Sequence, residues 1–574
     1  MDEKIEKVLS LVGNEHCYQY FTLIVIVFLW INCNFISIVI PYLEREPIIN
    51  YRDIKGEHYN VTLTNEICER IHDFHHKHKY EIVKQYKYSW VSEYGIECNK
   101  VEVGLIGSFA FIGNTAGGLI FSVINKLISH KKILIISCFG FCISTFLSTL
   151  IKSHDYFIYL LFCEVFMGLF GNCLCYSSLV IAQEVVSNKK RSLFCSIINV
   201  GYSLCGILYS IAFYFAQDWR IVFYILTGAS FLTLILIWFF IYDSPREYIN
   251  NKNYKKTMNI LEGIASFNGK LSEFRESIKQ DEYKEFINEI KGEEEIKNKD
   301  NENGEKNEKS KDENSLLIDQ INDSKNPDIS SSLISQEKSN IENTYDLKEI
   351  VKKDEKENKN ENNSKISKIN VWSLFKYPSI TYKFLILNFL WLGTRGTFNG
   401  ISISSKSFPG NFYINIIILF IIESISYCIS GCLIEIKKLG RKGSLWIENI
   451  LLIIIFFLLD FLKLDTIPTL GLNFLARFCI SGSEVIYYTY SLEIYPTPVR
   501  SVAFGINATF GNGGSILAPM ILEFLPNWLF LTLLALICAM NSFLLIFLPE
   551  TVGKPMAETI KELEYTENKE VKDN

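Results

Sequence analysis

The sequence predicts an all-α membrane protein with twelve transmembrane helices in two pseudo-symmetric six-helix halves. Three observations carry that prediction. Apolar runs of about 20 residues, each matching the thickness of a bilayer core, recur along the 574-residue chain. The charged residues, 21% of the total, sit almost wholly between those runs. Four landmarks of the first half also recur in order in the second, at an offset of about 309 residues. They are a basic turn, a glutamate, an arginine and an acidic residue closing each half. Ser129-His130-Lys131-Lys132 returns as Gly440-Arg441-Lys442, Glu184 and Arg191 as Glu493 and Arg500, and Asp243-Ser244-Pro245-Arg246 as Pro549-Glu550-Thr551. Internal repeats of this size indicate duplicated halves with a site between them.

Residues 1–19 are polar and mixed in charge. They lack the basic start, short apolar core and cleavage site of a signal peptide, so they are expected in the cytosol. Span one, Tyr20–Leu43, carries no formal charge. Residues 44–102 form a long loop with a glycosylation sequon at Asn60 and two cysteines, Cys68 and Cys98. A glycan and a disulfide both suit the extracytoplasmic side. The histidines between His72 and His78 alternate with lysine and aromatic residues, which favours an exposed polar segment, and no metal is expected there.

Spans two to six are expected at Val103–Ile124, Ile133–Ile151, Tyr156–Gln183, Ser196–Ala216 and Ile221–Tyr242. The connections 125–132 and 185–191 are basic, and by the positive-inside rule they are cytosolic. That orientation puts the long loop outside, in agreement with its sequon and cysteines. Residues 244–381 read as a cytosolic linker. Tyr254–Ala265 is helix-like, whereas Lys291–Ser315 and Lys352–Lys365 are almost entirely Glu, Lys, Asn, Asp and Ser and are expected to be disordered. The second half, 382–549, gives spans at Phe384–Ile403, Phe412–Ile434, Leu445–Leu462, Ile467–Leu492, Val502–Leu522 and Trp528–Leu548, and 550–574 is a cytosolic tail. Fifteen cysteines contain no CxxC and most lie inside apolar runs, where they read as small packing residues. No cofactor is expected. No folded segment combines basic clusters with interleaved aromatics, so nucleic acid is not an expected partner. No nucleophile motif, metal-ligand spacing or phosphate loop supports an enzyme.

These residues resemble the major facilitator superfamily and, more narrowly, its organic cation and organic anion transporters. The landmarks are Glu184 and Arg191, Asp218-Trp219-Arg220, Asp243-Ser244-Pro245-Arg246, Trp391, Gly440-Arg441-Lys442, Glu493-Ile494-Tyr495-Pro496-Thr497 with Arg500, and Leu548-Pro549-Glu550-Thr551. The large outer loop and the large linker after span six also fit that family. Sugar porters share some landmarks, but they lack the outer loop and carry a glutamine-rich motif in span seven, where this chain has Trp391-Leu392-Gly393-Thr394-Arg395. The resemblance implies the major facilitator fold, alternating access, and a multi-pass, monomeric plasma-membrane carrier with both termini cytosolic. The implied partners are the lipid bilayer, a small organic solute and a coupling proton. A sugar or other neutral-solute porter is the alternative within transport, and a non-transporting receptor on the same scaffold is the alternative outside it. The chain departs from the family at Lys126 and Lys437, which stand where relatives carry the acidic residue of the cytosolic gate. Glu184, Arg191, Glu493, Arg500 and Arg441 are the implied gate residues.

An ionisable residue near mid-span costs roughly 2.5–3.5 kcal/mol on insertion scales and so marks a functional candidate. Glu164, Arg395, Arg477 and Glu484 stand out, with Glu423 and Glu448 ranked lower. Arg477 and Glu484 are seven residues apart, so they share a helix face. The four charges sum to zero, which points to a zwitterionic or neutral substrate. By resemblance, Asn199, Trp391 and Phe398 align with pocket-lining positions, and the two rings are candidates for cation–π contact with a cationic head. Asn512 occupies a position that is acidic in cation carriers and basic in anion carriers.

Overall fold

The structure is a computed structural model. It describes residues 16–46, 48–52, 58–62, 81–85, 89–96, 99–125, 127–186, 188–250, 253–278, 377–434, 438–462 and 464–552, with isolated positions beside them. Span one is Cys17–Cys33 and Phe35–Leu43, interrupted at Asn34, whose side-chain amide donates to the Trp30 carbonyl. Spans two to six are Lys100–Ile124, His130–Leu150, Phe157–Val185, Asn188–Ala216 and Trp219–Phe240. Spans seven to twelve are Pro378–Ser404, Phe412–Leu433, Gly440–Phe461, Thr466–Ile494, Thr497–Phe524 and Asn527–Leu545. Several start well before their apolar runs. Span five begins at Asn188, for example, although apolar residues dominate only from Ser196. Hydropathy limits the stretch in lipid, whereas the helix continues as far as its backbone hydrogen bonds do.

Among the described residues, nine of these helices are long and apolar enough to cross a membrane, and spans seven, ten and eleven are not in that set. Those three carry Arg395, Arg477, Glu484 and the Gly511–Gly514 stretch. A helix with so much polar and glycine content is stable in a bilayer only when its neighbours cover it.

The repeat has a physical counterpart where spans three and nine begin. The Lys131 backbone N–H, at the start of span three, donates to Asp243 Oδ1 at 3.1 Å. The N–H groups of Arg441 and Lys442, at the start of span nine, donate to the two oxygens of Glu550 at 3.1 and 2.9 Å. Each carboxylate satisfies orphan donors and meets the positive end of a helix dipole. Within each half, glycines bring backbones together. A Cβ at Gly113 or Gly117 would strike the carbonyls of Val165 or Leu169 in span four, and one at Gly514 would strike Leu392 in span seven.

The outer loop contains a three-stranded antiparallel sheet, β1 (Ile48–Arg52), β2 (His58–Thr62) and β3 (Glu81–Gln85), ordered β2-β1-β3. The all-α expectation therefore holds for the bundle and not for this loop, which falls between the spans, where the bilayer's demand for closed hydrogen bonding does not apply. A short helix, Trp90–Tyr94, ties the loop to the first half, since Glu93 accepts from Trp219 Nε1 and pairs with Arg220. After span six the expected linker helix is Tyr254–Phe267. It docks on span one, where Asn268 Oδ1 accepts the Tyr18 N–H at 2.8 Å and the Phe267 ring packs on Tyr18 and Phe21.

The two halves meet along spans two and eleven and along spans five and eight. Contacts between them run from the start of span two as far as Gly118, where an added Cβ would meet Thr509 of span eleven. Ser108 donates to the Ile516 carbonyl at 2.8 Å, Gly104 packs on Met520 and Gly107 on Pro519. Phe420 covers Gly206 and Tyr202, and Tyr413 packs on Tyr214. One turn before Tyr202 on span five, Asn199 is exposed. The two halves are closed over each other at the end that carries Glu44 and Lys406.

Candidate functional site

Spans seven, eight and ten assemble two ion pairs. Arg395 of span seven meets Glu484 of span ten at 2.8 Å. Arg477 of span ten pairs with Glu423 of span eight, and its Nη1 donates to the Phe398 carbonyl at 3.0 Å. Arg477 and Glu484, expected to share one face, thus point to different partners. The ranking of Glu423 below the other four needs correction. It lies in the middle of span eight, is fully buried, and also accepts from the Tyr427 hydroxyl at 2.7 Å. Its sequence signal was present, because a glutamate midway along a charge-free apolar run is no less costly than Glu484. Counting it removes the charge balance of the four candidates, for the two pairs are neutral and Glu164 stands outside them. Glu448 is held by Ser430 and Ser483 at 3.2 and 2.8 Å.

The pairs differ in access. Arg477 is 1% exposed, with its guanidinium 3.9 Å from the Phe398 ring centroid. The Phe398 face is therefore occupied by the protein's own cation. Arg395 is 22% exposed. It lies against the rings of Trp391 and Tyr488, at 5.8 and 5.7 Å, and donates to the Tyr488 hydroxyl. Tyr176 of span four and Tyr202 of span five stand near enough for the Arg395 charge to act on both hydroxyls. Trp391 is buried and bonded through its Nε1 to Ser491 at 2.8 Å, so it fixes span seven to span ten while presenting an edge to Tyr488. Asn512 is half-buried on span eleven. It lies between the face that meets span two at Thr509 and the face that meets span seven at Gly511 and Ser515. Glu164 of span four is fully buried, and neither carboxyl oxygen has a hydrogen-bond partner.

Where span nine begins, Arg441 meets Glu493 at 2.9 Å, and Glu493 also accepts from Thr551. The described partners in this network lie in the second half. Arg500 Nε donates to the Tyr495 carbonyl at 3.1 Å, while its Nη2 and Glu184 Oε2 have no hydrogen-bond partner. Arg191 lies in span five, where only its backbone is described, and Asn60 likewise in β2. Lys126, Lys437, Cys68 and Cys98 lie outside the described residues.

Sequence reasoning missed the outer closure. Lys406, just after span seven, reaches across the halves to Glu44 at 3.0 Å and also pairs with Glu523 at the end of span eleven. Glu44 is fully buried. Burial pushes its carboxyl up to about 7, against the pull of the Lys406 ammonium. Burial works against the Lys406 charge too, but Glu44 and Glu523 outweigh it and raise its pKa above the ordinary lysine value. Beside this latch, the Tyr42 and Phe412 rings meet edge to face at 5.0 Å, and the Arg45 guanidinium sits 4.6 Å from the centroid of Phe412. Behind them a cavity of about 10 Å³ lies between Pro41, Ser402, Leu419 and Arg477, room for about one water. Glu44, Arg45, Lys406 and Glu523 sit in what reads as loop, and only folding brings them together.

A family model described as the Major Facilitator Superfamily matches residues 22–519. The chain is similar to Organic cation transporter 1 of Caenorhabditis elegans, 22% identical over 481 residues that cover 83% of this chain and 69% of that one. It is also 22% identical to Organic cation/carnitine transporter 2 of Rattus norvegicus over 483 residues, 82% of this chain and 71% of that one. Among solved structures, the inward open conformation of the xylose transporter XylE from E. coli matches with a TM-score of 0.57 at 15% identity, over 96% of this chain and 100% of that one.

Proposed function

This chain belongs to the Major Facilitator Superfamily, and from that premise we propose that it carries small organic cations or zwitterions across a membrane by alternating access. The observation that carries the substrate class is the part-exposed Arg395–Glu484 pair set against the rings of Trp391 and Tyr488. A substrate ammonium replaces Arg395 on Glu484 and gains the aromatic faces. A substrate carboxylate replaces Glu484 on Arg395. A zwitterion does both and leaves no buried charge unpaired. The relatives named for organic cations and for carnitine support this class. The more deeply buried Arg477–Glu423 pair holds spans eight and ten together as the halves rock. Glu184, Arg191, Glu493 and Arg500, with Lys126 and Lys437, make up the cytosolic gate, which closes when the inner ends approach. The plasma membrane, a monomeric state and cytosolic termini belong to the same proposal.

The test is uptake in proteoliposomes of labelled tetraethylammonium, carnitine, urate and glucose, with and without an inside-negative potential. A potential acts on a carried cation with roughly 2.3 kcal/mol per 100 mV. Uptake of tetraethylammonium that rises with the potential, or uptake of carnitine, supports the proposal. Uptake of urate or glucose with neither of these would overturn the substrate class.

A further inference from the structure

Glu164 is the one candidate charge that the ion-pair network leaves out. Its carboxyl is fully buried and has no donor on either oxygen. The spans packed against span four are one, two, three and five. Of the charged groups they carry, the one whose charge acts on Glu164 is Glu44 at the outer end of span one, and it is also negative. Lys406 lies on the other side of Glu44, where it is shared with Glu523. Span two offers Ser108 and Asn114, already bonded to the Ile516 carbonyl and to Ser37. Span three offers the thiols Cys138 and Cys142, and span five offers Cys205 and Tyr209. None of these is a cation. His154, in the turn that leads into span four, is exposed and set against Glu102 at 3.3 Å. Glu44 is brought to this place by Gly107, where a Cβ would lie 3.0 Å from Glu44 Oε1 and 2.6 Å from Pro519.

Glu44, Glu523 and Lys406, with the neighbouring Arg45 and Glu46 whose charges offset each other, carry a formal charge of minus one when all are ionised, and Glu164 adds a second negative charge. Two carboxylates that repel one another in a dry site do not both stay ionised. We propose that the closed outer gate binds a proton on the Glu164–Glu44 pair, with Glu164 the principal acceptor, so that acidity on the outer side closes the gate. When the halves part on that side, water reaches Glu164 through the separated Glu44 and Lys406, and the proton leaves to the outer solution. The proton belongs to the coupled pair, and Glu44 shares its titration. This inference rests on the alternating-access reading, and it goes further by naming the site and the side from which the proton comes.

The test needs no substrate. The full chain, in nanodiscs and with its reactive native cysteines replaced, carries fluorophores on cysteines introduced at Gln217 and Thr466, outer turns of the two halves. Energy transfer between them is read from pH 5.5 to 8.5. The expected result is that the outer ends approach as pH falls, that Glu164→Gln stays closed across the range, and that Glu164→Asp still titrates. Lys406→Ala, which removes the latch, should open the outer side at every pH. If Glu164→Gln titrates with the same midpoint as the unmodified sequence while Lys406→Ala opens, the proton site is wrong and alternating access stands. If no variant and no pH changes the distance, both fail. Elution of each variant as a single species in size exclusion verifies its fold.

Discussion

At the scale of residues, the two ion pairs of the second half separate by burial, and their variants should separate likewise. Glu423→Gln leaves the Arg477 guanidinium, 1% exposed, without its counter-charge. Stranding a buried charge in this way costs roughly 3–5 kcal/mol. The expected outcome is a clear fall in thermal unfolding midpoint, largely recovered in the double variant Glu423→Gln with Arg477→Met. The recovery distinguishes a stranded charge from a lost contact. Glu484→Gln leaves Arg395, 22% exposed, within reach of water and the Tyr488 hydroxyl. Its stability should change little while carnitine or tetraethylammonium uptake falls at least tenfold. An equal loss of stability in both variants would contradict this division of labour.

At the scale of elements, helices in lipid have no hydrophobic force between them, and association depends on close backbone approach. Gly514 is the tightest point between spans seven and eleven, because a Cβ there would overlap the Leu392 carbonyl and crowd Gly396. Gly514→Ala should therefore lower the unfolding midpoint and the yield of folded protein. Gly505→Ala, also on span eleven but with nothing near its added Cβ, should leave both unchanged. Most of the spans were legible from hydropathy, since nine of the described helices are long and apolar enough to cross a bilayer. The break at Asn34 in span one was not. It depends on a side-chain amide that bonds back to Trp30 and on the neighbouring Cys175 of span four, and neither appears as a gap in an apolar run.

At the scale of the whole molecule, the closed outer side should be sensitive to pH. Glu44 has a carboxyl value of about 7 against the ordinary 4.5, chiefly through burial, and Glu46 beside it is raised in the same way. A folded value above the unfolded one means that the folded state holds the proton more tightly. The resulting stabilisation is complete below about 4.5 and is lost as pH rises through about 7. Thermal unfolding of the unmodified chain should move to lower temperature between pH 5 and pH 8, and Glu44→Gln should flatten that decline. A midpoint that rises over the same interval would contradict the burial of Glu44 behind the closed gate.

The sequence by itself determined the class, the repeat, the order of spans and the superfamily, because each follows from local chemistry: apolar length set by the bilayer, charges kept to the ends, and carboxylates and basic residues in fixed order at cytosolic turns. It also marked Arg395, Arg477, Glu484 and Glu164 as costly and therefore purposeful. Only the tertiary structure decided which charge answers which. Arg477 found Glu423, Arg395 found Glu484, and Glu164 found no donor, since pairing depends on which helix faces which and not on spacing along one helix. The latch of Glu44, Lys406 and Glu523 was invisible in the sequence for the same reason. Its three members lie at the ends of different spans, where a charge is inexpensive and ordinary until the two halves close over it.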